Sequence, residues 1–253
     1  MNGASNLLTV GPIFDPIATA RSYGFEDIFH YQEWHGLEVD GVAGPITTTL
    51  MSSPRCGIPD FQESRQPEKA SWPSKCLDVS TAYRLRLNMD DDEVERAWNT
   101  ALRLWNESCG IRLTLIDNMR EASIWAKSGP LSGSTLAWSY LPNGDCSERL
   151  EQRYDSEQRW THEFLAKTML HEIGHALGLR HSNRKADIMY PSIQSRPLSS
   201  YPSNNDKRRV VDYYGNSDVE PEAPETPEAP DNGRQRITVT GTLTGGTYTL
   251  AKI

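Results

Sequence analysis

Long apolar runs are missing from this chain of 253 residues. No stretch approaches the roughly 20 consecutive apolar residues that a membrane-spanning helix needs, so a helical bilayer span is excluded. Positive charge is also scarce: 26 Lys and Arg stand against 34 Asp and Glu, for a net charge of -8. That balance argues against nucleic acid and anionic membranes as partners, although much of the acidity is local to the C-terminal end. Cysteine and histidine are few, at 4 and 6, which limits both disulfides and metal sites. The opening MNGASNLLTVGPIF has neither a basic n-region nor a long apolar core, so no secretory leader is visible. Either a leader has been removed, or the gene starts further upstream, or export takes another route. What remains, 37% hydrophobic residues and a mean hydropathy of -0.61, describes a soluble chain. It is long enough for one medium domain plus small additions.

What is present is the stretch HEIGHALGLRH, His171 to His181. His171 and His175 are four residues apart, so on a helix they share a face, one turn apart, and can hold one ion. Glu172 follows the first of them and points to the flank, where it can take a proton from the attacking water. Gly178 lets the helix stop and the chain bend back, which would bring His181 to the same metal as third ligand. Three imidazoles and a carboxylate at this spacing build a hydrolytic zinc site.

Eight residues beyond His181 lies Met189, in ADIMYP. It resembles the Met-turn of metzincin proteases, which sets an apolar sulfur beneath the metal ligands. Upstream, Pro54-Arg55-Cys56-Gly57-Ile58-Pro59-Asp60 resembles the cysteine-switch peptide of matrix metalloproteinases, the matrixins. A thiolate is a good fourth ligand for tetrahedral zinc, and zinc lowers the thiol pKa enough to keep it ionised. While Cys56 fills that position, no water is activated there. The resemblance implies that Arg55 and Asp60 pair and hold the peptide across the cleft. It further implies a secreted, extracellular zinc endopeptidase of protein or peptide substrates, latent until its prodomain is removed. Two other readings use the same scaffold: a non-catalytic polymer-binding protein, and an assembly protein whose tail mediates oligomers. The intact Glu172 argues against the first.

Residues 14–53 resemble the small helical, peptidoglycan-binding-like prodomain of matrixins, and residues 1–60 are read as prodomain plus switch. Within it HGLEVDGVAGP is turn-rich, and PITTTLM is a helix opened by proline at its first position. Residues 61–71, FQESRQPEKAS, are polar with one proline, as suits an exposed activation linker that proteases nick. Residues 72–215 are read as the catalytic domain. YRLRL (Tyr83 to Leu87), IRLTLI (Ile111 to Ile116), ASIWAK (Ala122 to Lys127) and STLAWSYLP read as strands. Asp91 to Glu107 shows helical spacing at Val94, Trp98, Ala101, Leu102 and Trp105, with acidic residues in its first turn. Thr161 to Leu177 is the metal-bearing helix. NNDKRRVVDYYG is a last helix, with Asn or Asp as N-cap and Gly215 as stop. The resemblance implies the α+β metzincin fold: a twisted, mostly parallel sheet with an active-site helix, preceded by a small all-α prodomain bundle. Residues 216–232 carry proline every third residue from Pro221 to Pro230, an extended acidic linker. Residues 233–253 alternate like a β-hairpin around Gly245-Gly246.

STLAWSYLP also resembles the family's edge strand, against which substrate lies antiparallel. Backbone groups of Leu136 and Ala137 would then hold the substrate. Two positions that bind a second, structural zinc in the family are Trp138 and Arg153 here. Three of the six histidines are committed to the catalytic site, so one catalytic zinc and no structural zinc is expected. Asp155 matches a calcium ligand, which makes Ca2+ a further candidate. Lys167, four residues before His171, stands where the family lines its S1′ pocket, the subsite just beyond the scissile bond. A lysine there would shorten that pocket or make it polar. With Cys56 assigned to the switch, Cys76, Cys109 and Cys146 leave one disulfide and one odd thiol, in any pairing.

Overall fold

Three short helices open the described chain, each started by its own local chemistry. α1 (Pro16–Ser22) begins at Asp15, whose carboxylate accepts from the backbone of Ile17 and Ala18. α2 (Ile28–Trp34) is capped in the same way by Asp27. α3 (Pro45–Met51) carries proline in its first turn, where the missing N–H costs nothing. Their small core is Ala20, Phe25, Ile28, Tyr31 and Met51. The computed structural model describes residues 14–61, 71–193 and 195–217, with the backbone of 239–243 and 246–250. Most of the expected activation linker and acidic linker therefore lies outside the described residues, as does the N-terminal segment.

Six strands form the main sheet: β1 (Arg55–Cys56), β2 (Asp78–Arg84), β3 (Arg112–Leu115), β4 (Ile124–Gly129), β5 (Thr135–Ser139) and β6 (Leu150–Asp155). Their order is β1-β5-β6-β4-β2-β3. The ladder from β3 through β2 and β4 to β6 is parallel, and β5 runs antiparallel to β6 at the cleft side. The second strand differs from the alternation at Tyr83 to Leu87. Its ladder starts at Asp78 and stops at Arg84, because the next exposed amide, Arg86 N–H, is taken by the Ser128 side chain at 2.7 Å.

α4 (Asp91–Asn106) buries Val94, Ala97, Trp98, Ala101, Leu102 and Trp105, one stripe at helical spacing. Its two tryptophans are also polar anchors: Trp98 Nε1 donates to Thr81 Oγ1 at 3.2 Å, and Trp105 Nε1 to the Leu170 carbonyl at 2.8 Å. The second bond fixes α4 against α5 (His162–Ala176), which Thr161 caps. Every residue of α5 from Leu165 to Ala176 is buried, as befits a helix that runs through the core. α6 (Asn204–Tyr214) starts at Ser203 rather than at the expected Asn or Asp. Ser203 and Asp206 form a reciprocal capping box that leaves both asparagines inside the helix. Gly215, at φ 73°, ends it.

Cys76 and Cys146 form a disulfide across 70 residues, tying the approach to β2 to the β5–β6 loop. Cys109 is free and buried. A separate unit, Pro221–Ile253, contains the antiparallel pair β7 (Val239–Leu243) and β8 (Gly246–Leu250). No helix among the described residues is long and apolar enough to cross a membrane.

Candidate metal centre and its cover

α5 carries His171, Glu172 and His175, all buried completely. The helix stops at Leu177, and Gly178 takes φ 90°, a conformation that glycine adopts without strain. The chain then turns back and brings His181 Nε2 to 3.2 Å from both His171 Nε2 and His175 Nε2. The other nitrogen of each ring is held by a backbone carbonyl: Ile188 for His171 (2.7 Å), Leu179 for His175 (2.7 Å) and Pro59 for His181 (3.2 Å). An Nδ1–H donated to a carbonyl leaves each Nε2 lone pair facing the centre. Met189 lies beneath, and Gly174 makes room for it: a Cβ there would stand 2.4 Å from the Met189 sulfur.

β1 lies across this centre. Its partner in register is β5, with Cys56 opposite Ala137. Arg55 N–H donates to Ser134 O at 2.9 Å and Gly57 N–H to Ala137 O at 2.8 Å. On the other side Cys56 N–H donates to Pro191 O at 2.9 Å. The peptide is thus an added strand, and it runs parallel to β5. Cys56 Sγ ends 3.5 Å from His175 Nε2 and 3.8 Å from Glu172 Oε2. A cavity of about 150 Å³ remains beside it, lined in part by Trp34, Ile58, Pro59, His175 and His181.

The donor set fits zinc. Tetrahedral coordination at about 2.0–2.1 Å for nitrogen and 2.3 Å for sulfur puts N···N pairs about 3.3 Å apart and S···N pairs about 3.6 Å. The observed 3.2 and 3.5 Å match. All four ligand atoms lie within 4.8 Å of one another, and they are the one such group among the described residues. Burial keeps the imidazoles neutral, the ligating form: His171 is lowered to about 4, and His175 and His181 well below the usual value. Burial raises Glu172 to about 8, with its Cys56 hydrogen bond acting the other way. Burial and then the Glu172 charge push the Cys56 thiol up. A dication among these donors would invert that preference, since a coordinating thiol is deprotonated outright.

The peptide is fastened at its ends. Arg55 Nη2 donates to Asp60 Oδ1 in a buried ion pair, and its guanidinium lies 3.5 Å over the Tyr23 ring of the helical bundle. Asp60 Oδ2 is 3.1 Å from His35 Nε2, and His35 Nδ1 is 2.7 Å from the Tyr190 hydroxyl. Neither His35 nor Tyr190 stands out in sequence. A histidine before Gly36 and a tyrosine after Met189 belong to ordinary turn chemistry, and only the fold brings them together.

Three buried neutral imidazoles, a thiol over them and a carboxyl at their flank form a candidate metal centre closed by an internal thiol. Residues 72–215 match the family model for matrixin, peptidase M10, and the chain belongs to the matrixin family. It is similar to macrophage metalloelastase of Rattus norvegicus, 29% identical over 213 residues, covering 78% of this chain and 45% of that protein. Matrix metalloproteinase-18 of Xenopus laevis and neutrophil collagenase of Homo sapiens are each 30% identical over 227 residues, covering 81% of this chain and 47% of theirs. The chain spans about half the length of these relatives.

The remaining expected site residues are placed as follows. Leu136 and Ala137 are buried members of β5 beside the switch peptide. Lys167 is 7% exposed, and its ammonium lies 3.1 Å from the Arg196 carbonyl and 3.4 Å from Glu163. Asp155 Oδ1 accepts the backbone N–H of Leu131 and Glu157, at 3.1 and 3.2 Å. Trp138 faces the Arg153 guanidinium at 5.7 Å, and Arg153 also bonds Glu151 at 3.0 Å.

Proposed function

We propose that this chain is a latent zinc endopeptidase that carries its own inhibitor. The observation that carries the reading is Cys56 Sγ completing the donor set of His171, His175 and His181, with Glu172 at its side. The zinc those histidines would hold supplies Lewis acidity toward the scissile carbonyl and the attacking water. The chain's own residues do the rest. The Ile188 and Leu179 carbonyls on Nδ1 of His171 and His175 fix those two imidazoles and stay when the switch leaves, whereas the Pro59 carbonyl on His181 departs with it. Release of the switch peptide empties the β5 edge, and backbone groups of Leu136 and Ala137 take an extended substrate by strand addition. The inhibitory peptide runs parallel to β5 and substrate antiparallel, so the occupant of the latent form lies reversed along the cleft. Glu172 accepts the water's proton and returns it to the leaving amine. In the closed form burial under the switch raises this carboxyl to about 8; release of Cys56 and a neighbouring dication both favour the carboxylate that accepts the proton.

In this reading residues 1–60 are the prodomain, 61–71 the activation linker, 72–215 the catalytic domain, 216–232 a spacer and 233–253 an added hairpin. Lys167, held by Glu163 and Arg196, narrows the S1′ pocket, and Asp155 is available to Ca2+. The Cys76–Cys146 disulfide supports an extracellular or secreted location, since such bonds persist in oxidising compartments. The test is cleavage of a quenched fluorescent peptide library before and after mercurial treatment, with Glu172→Ala alongside. Activity that appears only after treatment and is lost by orders of magnitude in the variant supports the proposal. Zinc-loaded chain silent in every condition would sink it, in favour of a non-catalytic binding or assembly protein.

A further inference from the structure

His35 joins the helical bundle, the switch peptide and the turn after Met189 through its two ring nitrogens. It follows α2 and is 2% exposed. Nε2 faces Asp60 and Nδ1 faces Tyr190. The two bonds fit one neutral tautomer, with Nε2–H donating to the carboxylate and Nδ1 accepting from the hydroxyl. A second ring proton would point at the Tyr190 oxygen and require its hydroxyl proton to find another acceptor. Phe25, Tyr31 and Trp34 pack against the ring, and the Tyr31 hydroxyl, buried with no hydrogen-bond partner, is the one hydroxyl among them. Asp60 already neutralises Arg55, so a charged His35 would leave one uncompensated positive charge in a buried cluster.

We infer that His35 is a proton-operated latch: neutral, it holds the prodomain and switch peptide closed, and protonation favours release of Cys56. This rests on the latency reading above. The charged groups facing the ring are Asp60 and Arg55 from the switch and Lys185 from the loop before Met189. Burial lowers the His35 pKa most; Asp60 opposes it, and Arg55 and Lys185 act with burial. In the released form His35 is an ordinary imidazole near about 6.5. Above that pH both forms are neutral and closure is unaffected. As pH falls below it, the released form takes a proton first, and closure weakens about tenfold per pH unit until the docked ring also titrates.

The experiment uses the full chain, zinc-loaded and carrying Glu172→Ala to prevent self-cleavage. Modification of Cys56 by a maleimide is followed by peptide mass mapping from pH 7.5 to 5.5, with and without His35→Gln. Dividing the two rates cancels the intrinsic pH dependence of the thiol. The ratio of histidine form to glutamine form should rise about tenfold toward pH 5.5. A flat ratio with Cys56 protected at neutral pH overturns the latch alone. Cys56 reacting at the rate of a free thiol at pH 7.5 overturns the latency reading with it. Should His35→Gln open the protein at every pH, histidine ring NMR of the His35 chain decides instead. Titration below 6.5 supports the latch, and titration at or above it refutes it.

Discussion

Replacing Cys56 by alanine removes one of four donors and leaves the rest of the cover in place. The backbone bonds from Arg55, Cys56 and Gly57 to Ser134, Pro191 and Ala137 are untouched, as is the Arg55–Asp60 pair. Four-ligand zinc sites contribute about 10–16 kcal/mol at neutral pH, so one ligand contributes about 3 kcal/mol. That is about a 100-fold change in the balance between closed and open cleft. The assay is the initial rate of peptide cleavage by untreated, zinc-loaded chain, sampled while gels show the prodomain uncut. Cys56→Ala should start about 100-fold above the parent, and a mercurial should then add nothing. If both forms are equally silent until the prodomain is cut, with one zinc bound in each, the bulk of the peptide rather than its thiol closes the site.

Arg55→Ala leaves Asp60 buried with only the His35 and His181 rings beside it, at a cost of about 3–5 kcal/mol. The same assay should find it open without treatment, and full latency would refute the role of the pair. The Cys76–Cys146 bond closes 70 residues, for a chain-entropy contribution of about 4 kcal/mol. Replacing both cysteines by serine should lower Tm by roughly 10 °C in calorimetry; a drop below about 2 °C would show that the loop is constrained by other means. Lys167→Leu should widen P1′ acceptance toward large aromatic residues in the activated enzyme. An unchanged library profile would show that the lysine, held by Glu163 and Arg196, does not border that pocket.

The metal-bearing helix was legible because four residues nearly complete a helical turn, so the positions of His171 and His175 state their geometry outright. α4 was legible for the same reason: its buried stripe from Val94 to Trp105 repeats at the helical period. The start of β2 was not. Asp78 to Ala82 forms strand through pairing with β3 and β4, and pairing leaves no trace in local alternation. Ser203 won the N-cap of α6 over its neighbours because Asp206 sits three residues on to close the box, a reciprocal pattern that single-residue preference misses. The cysteine pairing stayed open because a 70-residue separation carries no geometry. His35 was hidden for a related reason: its importance comes from Asp60 and Tyr190, 25 and 155 positions away.

The central claim is that Cys56 is the fourth zinc ligand of the latent form. Zinc-edge X-ray absorption on the zinc-loaded chain measures this directly, before and after the prodomain is removed. The latent protein should show one sulfur at about 2.3 Å and three nitrogens at about 2.0–2.1 Å, with the sulfur lost on activation. A latent protein whose zinc has only nitrogen and oxygen neighbours would contradict the account.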